Sequence, residues 1–359
     1  MRRALRVAIV VLAVLAIVAI VERSWVAAQW RAVVVLSTTE QTPVLAWTVR
    51  ALTHEPRVEE TTVGGAPSTL VRPGKGDGPW PAVVFVNGAT RAGRHHEQVQ
   101  RLANGLARAG FLAVVPDLPG LRLGEITPAT RSATIRAARA TADRDDARDG
   151  KVALYGVSVG ATLALLAAES PTMAGRVSIV GGEAPFVDLE RTIRLATTGF
   201  YAGERYESDP YVLLAVARSL AAQGHPRLLE RLETVDDEDP APLAGLTGSQ
   251  PLVALLLNRD PARFDELYAR LPQRMRRSVE LLSPIHGADR LTMPVELASA
   301  PHDEYFPPAE SRALARSAPD ARATVTSTLD HAVPELSLGD LADLARFDGF
   351  VSRYLREAA

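Results

Sequence analysis

The chain has 359 residues, enough for one large domain or two small ones, and 47% of them are hydrophobic, which suffices for a sizeable core. The formal net charge of -2 gives no reason to expect a nucleic-acid partner. There is no cysteine, so disulfides, thiolate catalysis and cysteine-based metal sites are excluded.

The N-terminus has the pattern of a membrane-targeting segment. Three arginines lie within the first six residues, an uninterrupted apolar run covers residues 7–21, and Trp25 and Trp30 follow as possible interfacial anchors. We expect residues 1–23 to be an uncleaved membrane anchor; the alternative is a signal peptide cleaved after residues 26–28. Both interpretations place the rest of the chain outside the cytoplasm.

After a helical connector at residues 24–56, the pattern is that of strands alternating with helices. Residues 57–63 and 68–72 predict a hairpin around two glycines. Buried strands and helices then alternate, with strands expected at 81–86, 111–115, 151–157 and 176–182, and helices at 95–109, 127–147 and after residue 158. This alternation predicts an α/β fold with a mostly parallel, doubly wound sheet, whose functional groups lie at the carboxyl ends of the strands.

The alternation is interrupted between residues 185 and 290, where helical patterns dominate. The predicted helices lie at residues 186–198, 210–222, 226–232, 251–256, 261–271 and 274–282. We interpret this segment as a helical cap inserted into a core made of residues 57–184 and 291–359. The core resumes with a strand at 294–298, a helix at 308–317, a strand at 321–327 and a closing helix at 338–355.

Residues 156–160 form a G-x-S-x-G motif between a predicted strand and a predicted helix. In that context the motif places a serine hydroxyl at the tip of a sharp, strained turn. Ser158 is therefore the candidate nucleophile, and it needs a base to take its proton.

The candidate base and acid follow later strands. Among seven histidines, His331 comes directly after the last predicted strand, and His302, after the preceding strand, is its rival. Asp303 is the favoured carboxylate that would orient the base. Glu183 and Asp188 are the alternative acids.

With these residues the chain resembles an α/β-hydrolase with a cap, nearest to the dienelactone-hydrolase-like and esterase-like branches. The resemblance covers about residues 57–357 and rests on three motifs: the elbow around Ser158, the strand-end turn at residues 87–89, and residues 303–307 with the late His331. The order serine, aspartate, histidine is that of the family. One departure is Asn87, where the family often has histidine.

The resemblance implies an oxyanion hole made of backbone N–H groups. They would come from Val159 and from the strand-end turn, where Ala89 is the favoured donor and Gly88 lies beside it. It also implies that neither a metal nor an organic cofactor is needed.

Together these features predict a serine hydrolase that cleaves a carboxylic ester of a small-molecule acyl substrate through an acyl-enzyme. An amide or peptide bond is the less favoured target. Acyl transfer to another acceptor and a non-catalytic binding protein on the same fold are the alternatives. Neither the substrate nor the oligomeric state can be predicted from these patterns.

Overall fold

The structure is a computed structural model, and it describes most of the chain after the N-terminal segment. The described residues are 23–39, 43–237, 245–246, 250–331, 333–334 and 340–359. The apolar run in which we expect an anchor or signal peptide lies outside them. None of the helices in the described part of the chain has both the length and the apolar character that a membrane span requires.

Most of the strands belong to a single eight-stranded sheet, as predicted. The strands in chain order are β1 (Arg57–Val63), β2 (Ala66–Arg72), β3 (Ala82–Val86), β4 (Leu112–Pro116), β5 (Val152–Val157), β6 (Val177–Glu183), β7 (Phe200–Tyr201), β8 (Glu204–Arg205), β9 (Val295–Ser299), β10 (Ala321–Val325), β11 (Leu329–Asp330) and β12 (Val333–Pro334). The sheet order is β1-β2-β4-β3-β5-β6-β9-β10.

The sheet is parallel from β4 to β10, and the hairpin β1–β2 is attached to β4 in antiparallel fashion. The chain runs from β3 outward to β4 and then returns to β5 on the other side of β3. The strand order therefore reverses between β3 and β5, and ligands of open α/β sheets bind at the carboxyl end of such a switch point.

Helices cover both faces of the sheet. They are α1 (Arg23–Thr39), α2 (Pro43–Leu52), α3 (Glu97–Arg108), α4 (Pro128–Ala142), α5 (Val159–Ala168), α6 (Leu189–Thr198), α7 (Pro210–Ala221), α8 (Pro226–Glu233), α9 (Pro251–Leu256), α10 (Phe264–Ala269), α11 (Gln273–Leu281), α12 (Ala309–Ser317) and α13 (Leu341–Glu357). One core cluster joins the sheet to α3 and α13, and a second contains α4, α5, α12 and the segment between β6 and β9.

The segment between β6 and β9 is helical, and the six helices predicted there are present as α6 to α11, some with shifted ends. Prolines at the starts of α7, α8 and α9 are compatible with the first helical turn, where no N–H partner is lost. The short hairpin β7–β8 was not predicted, because its two-residue strands are too brief to show a periodic pattern.

Helix α1 forms part of the core rather than a free tether. It packs against both α3 and α13. The Gln29 side chain of α1 donates a hydrogen bond of 2.9 Å to Asp348 of α13. A Cβ on Gly105 of α3 would lie only 3.1 Å from the Val35 carbonyl oxygen, so glycine permits this close approach of two helices.

Two of the core elements are shorter than predicted. The helix predicted for residues 127–147 begins as expected, with the Thr127 side chain accepting from the Thr130 N–H, but it ends at Ala142. The chain then turns so that Asp146 can pair with Arg72 of β2 at 3.0 Å. The strand predicted for residues 321–327 ends at Val325 and is followed by the hairpin β11–β12.

Candidate active site

Ser158 lies on the predicted sharp turn between β5 and α5. Its backbone has φ 54° and ψ −128°, a strained conformation for a residue with a side chain. A Cβ on Gly156 would be 2.4 Å from the Gly160 carbonyl oxygen, and one on Gly160 would be 2.1 Å from the Val86 oxygen. Both glycines are therefore required for strand, turn and helix to meet at this point.

Backbone hydrogen bonds fix the turn. The Ser158 N–H donates to the Glu183 carbonyl oxygen of β6 at 2.7 Å, and the Ser158 carbonyl accepts from the Ala161 N–H at 2.9 Å. The serine is thereby tied to the neighbouring strand on one side and to the first turn of α5 on the other.

Asp303 and His331 are in direct contact. His331 Nδ1 lies 2.9 Å and 2.8 Å from the two carboxylate oxygens of Asp303, whose side chain is fully buried. Asp303 Oδ1 also accepts from the N–H groups of Tyr305 and Phe306, each at 2.9 Å. These two donors hold the carboxylate in one orientation.

Three aromatic residues that the sequence analysis did not assign to the site surround this pair. The ring centroids of Tyr305 and Phe306 lie 4.3 Å and 6.2 Å from that of His331. Tyr206 donates its hydroxyl hydrogen to the Asp303 carbonyl oxygen. Burial, and secondarily the Asp303 charge, raises the pKa of Tyr206 to about 12, so this donor keeps its proton at neutral pH.

The rival candidates are engaged elsewhere or exposed. The Asp188 carboxylate caps α6 by accepting from the Arg191 N–H at 3.1 Å. The buried Glu183 side chain accepts from the Tyr155 hydroxyl. His302 is exposed, whereas His331 is half-buried against the carboxylate. The structure therefore pairs His331 with Asp303 and not with the alternatives.

Ser158 and His331 line the same cavity, which has a volume of about 760 Å³. Among the described residues no hydrogen bond joins the Ser158 hydroxyl to the imidazole. In the absence of substrate such contacts are often long, and they tighten when the reacting complex forms.

Two backbone N–H groups near the serine have no acceptor among the described residues. The Val159 N–H is the first of α5, and helix geometry leaves it without an intrahelical partner. The turn after β3 approaches closely, since a Cβ on Gly88 would lie 3.5 Å from the Ser158 Cβ. Within the described part of the chain, neither Val159 nor Ala89 donates its N–H to another residue. Asn87 is buried and supports the turn by donating to the Gly88 carbonyl at 2.7 Å.

The cavity extends from the serine in two directions. One side is formed by the cap segment, through Tyr211, Val212 and Ala215 of α7. The other side passes under α1, α3 and α13 on the opposite face of the sheet. The involvement of α1 was not foreseen, because helical periodicity does not reveal which surface a helix will cover.

Comparison with known proteins agrees with this architecture. Residues 83–348 match the family described as the alpha/beta hydrolase family. No curated protein sequence matches the chain.

Among solved structures, DphMB1 is 17% identical with a TM-score of 0.49, the match covering 88% of this chain and 91% of that one. The 2,6-dihydroxy-pseudo-oxynicotine hydrolase is 16% identical with a TM-score of 0.49, covering 84% and 68% of the respective chains. An esterase from Pyrobaculum calidifontis is 19% identical with a TM-score of 0.45, covering 90% and 92%. The family match spans well over half of the chain, and the protein belongs to the alpha/beta hydrolase family.

Proposed function

We propose that this protein is a serine hydrolase that cleaves a carboxylic ester through an acyl-enzyme. The observation that supports it best is the pairing of His331 with the buried Asp303 at 2.8 Å, at the wall of the cavity that also contains Ser158 on its strained turn. A histidine oriented by a buried carboxylate is the kind of base that a serine nucleophile needs.

In the proposed reaction the Ser158 hydroxyl attacks the acyl carbonyl carbon while His331 Nε2 accepts its proton. Asp303 holds Nδ1–H and stabilises the imidazolium that forms. The imidazolium then gives its proton to the departing alcohol oxygen, and the acyl group stays on the serine. Water, deprotonated by the same histidine, releases the acid and restores the free hydroxyl.

The developing oxyanion would be held by the N–H groups of Val159 and Ala89. Both lie at the sheet's switch point beside the serine, and neither donates to a described residue. Donors fixed in this way need no reorganisation during the reaction, and one such donor contributes about 3–4 kcal/mol to transition-state stabilisation.

We favour an ester over an amide because an alcohol leaves more easily than an amine. Acyl transfer uses the same acyl-enzyme and differs only in the acceptor, so adding a nucleophilic alcohol to the assay would separate transfer from hydrolysis. The tight pairing of His331 with Asp303 speaks for a catalytic protein rather than a binding protein on this fold.

A comparison of two serine variants tests the proposal. Ser158→Ala should lower kcat for a simple p-nitrophenyl ester by at least about 10³-fold, since the nucleophile is lost. Ser132→Ala, at an exposed position on α4, serves as the matched control and should keep the wild-type rate. Equal activity in the two purified variants would exclude Ser158 as the nucleophile.

We further propose that the catalytic domain is held at a membrane, outside the cytoplasm. The support is the apolar run at residues 7–21 together with Trp25, Trp30 and Trp47 on α1 and α2, which are 49%, 44% and 73% exposed. Exposed tryptophans next to an apolar segment are typical of a membrane interface.

The absence of cysteine offers a direct test of this location. Ser132→Cys would introduce the chain's single thiol at an exposed position of the core. A membrane-impermeant maleimide should label it in intact spheroplasts. Labelling only after lysis would contradict the proposed orientation.

A further inference from the structure

The cavity next to Ser158 has an apolar branch bordered by three helices. We define the apolar branch as the part lined by α1, α3 and α13. Its lining side chains include Val35 and Leu36 of α1, Leu102 and Leu106 of α3, and Val351 and Leu355 of α13.

The spacing of these residues shows that the branch is elongated. On α3 the lining positions Val99, Leu102 and Leu106 recur at helical spacing, so they form one stripe. On α13 the stripe runs from Phe347 to Leu355, which at 1.5 Å per residue corresponds to about 12 Å along the helix. With α1 packed against both α3 and α13, these lining positions make the branch an elongated one.

The chemistry of the branch fits an aliphatic chain. Apart from Gln98 and Thr39, α1, α3 and α13 contribute apolar and aromatic side chains to the lining. The charged group of the lining on this face is Glu183, whose carboxylate accepts from the Tyr155 hydroxyl. A polar or charged ligand would find few partners here, whereas an alkyl chain needs none.

The apolar branch begins beside Ser158, the candidate nucleophile. Phe85 and Val157, at the ends of β3 and β5, line it beside Ser158. A carbonyl carbon placed at the serine would therefore have its acyl chain pointing between α3 and α13, while its alcohol portion would face α7 of the cap segment.

We propose that the apolar branch receives the acyl chain of the substrate, so that the ester cleaved here is that of a linear fatty acid. The apolar branch is about 12 Å long, which accommodates roughly ten carbons of an extended acyl chain. Each carbon lengthens such a chain by slightly less than one C–C bond of about 1.5 Å. This inference rests on the proposed function, since it deepens the specificity of the same site.

The first test measures acyl-chain selectivity with p-nitrophenyl esters from acetate to dodecanoate. Burial of one CH₂ contributes about 0.8 kcal/mol, which corresponds to about fourfold in kcat/KM when the burial is complete. We therefore expect kcat/KM to rise about threefold for each added carbon and to level off near ten carbons. A wild-type profile that is flat or falls with chain length, in an enzyme active on the acetate ester, would overturn the proposal.

Tryptophan variants test where the acyl chain of the substrate binds. Leu102→Trp fills the apolar branch and should lower the decanoate-to-acetate ratio of kcat/KM at least about tenfold. Gln100→Trp, on the exposed side of the same helix, should leave that ratio as in wild type. Ala215→Trp fills the α7 side of the cavity. If Ala215→Trp lowers the decanoate-to-acetate ratio and Leu102→Trp does not, the acyl chain lies under the cap segment and the proposal is wrong.

A binding measurement separates this inference from the proposed function. Ser158→Ala, which should not turn over, is titrated with a fluorescent dodecanoic acid analogue. Saturable binding that Leu102→Trp abolishes in the same background and Gln100→Trp preserves would support the apolar branch even if no ester were hydrolysed. Binding that Leu102→Trp leaves unchanged would refute it even if the serine is catalytic.

Discussion

His331 owes its orientation to groups that come from distant parts of the chain. The residue adopts φ 50° in the turn between β11 and β12, a left-handed conformation that is unfavourable for a histidine. Asp303 binds its Nδ1, and Tyr305 packs against the ring. The strain at this position is thus balanced by contacts that aim the imidazole at the cavity.

Replacing the two buried acids tests which one orients the histidine. Asp303→Asn replaces the carboxylate beside Nδ1 with an uncharged amide whose NH2 group can donate to Nδ1 and favour the wrong tautomer of His331, so kcat should fall by about 10⁴-fold. Glu183→Gln keeps a hydrogen-bond acceptor for Tyr155 and should retain activity within about tenfold. Steady-state kinetics on one short-chain ester compares them, and the reverse ranking would mean that Glu183 is the catalytic acid.

The sequence suffices to select Ser158, Asp303 and His331 as candidates, because each lies shortly after a predicted strand and the strand ends of a parallel sheet meet at one edge. It could not select Tyr206. That residue lies in a loop of the cap segment, and its contact with the Asp303 carbonyl depends on how the segment folds back over the core. No local pattern encodes such a contact.

At the scale of elements, helix α5 begins directly after the turn that carries Ser158 and runs through the core. Every residue from Val159 to Ala168 is buried, so the helix is held on all sides. Immediately after its last turn lies Glu169, whose side chain is also buried and 3.4 Å from Arg290. Burial, only partly opposed by Arg290 and Arg131, raises the pKa of Glu169 to about 8.

This raised pKa predicts a pH-dependent stability. The folded state binds the Glu169 proton more tightly than the unfolded state, so the associated stability is fully present below about pH 4.5 and is lost as the pH rises through about 8. Within that window the free energy of unfolding should fall by at most about 1.4 kcal/mol per pH unit.

Urea unfolding of wild type and Glu169→Gln at pH 5 and pH 8.5 would measure the effect. The glutamine variant should lose less stability than wild type between the two pH values, because it has no proton to release. Parallel pH dependence in the two proteins would show that Glu169 does not titrate in this range.

Helices and strands of the core were predictable because their hydrophobic periods are long and regular. The short strands β11 and β12 were not predictable, since two residues give no period, although His331 lies in the turn between them. Helix α1 was recognised as helical, but its place against α3 and α13 is set by long-range packing such as the Gln29–Asp348 contact.

At the scale of the whole molecule, a buried arginine joins the cap segment to the core. Arg218 of α7 is completely buried and donates to the carbonyl oxygens of Leu123, Leu232 and Val235. It also pairs with Asp237 at 2.8 Å. Residues 236–239 form an acidic run, and Asp237 contributes to these contacts between cap segment and core. Residues 238–239 lie outside the described part of the chain.

Two arginines bind Asp237, and replacing each one separately should lower the free energy of unfolding by different amounts. Arg218→Leu leaves several buried carbonyls without donors and should destabilise the protein by about 3–5 kcal/mol. Arg91→Ala removes a partner that is half exposed and should cost less than about 1 kcal/mol. Chemical denaturation followed by fluorescence measures the free energy of unfolding of both variants. Similar losses of stability would contradict the view that Arg218 is the main connection between cap segment and core.

The central claim is that Ser158 is a nucleophile activated by the His331–Asp303 pair, and fluorophosphonate labelling tests it most directly. The reagent phosphonylates activated serine hydroxyls, and peptide mass spectrometry identifies the modified residue. We predict that folded wild-type protein is labelled at Ser158 and that Ser158→Ala is not labelled. A folded wild-type protein that stays unlabelled, or that is labelled at another residue, would contradict the account.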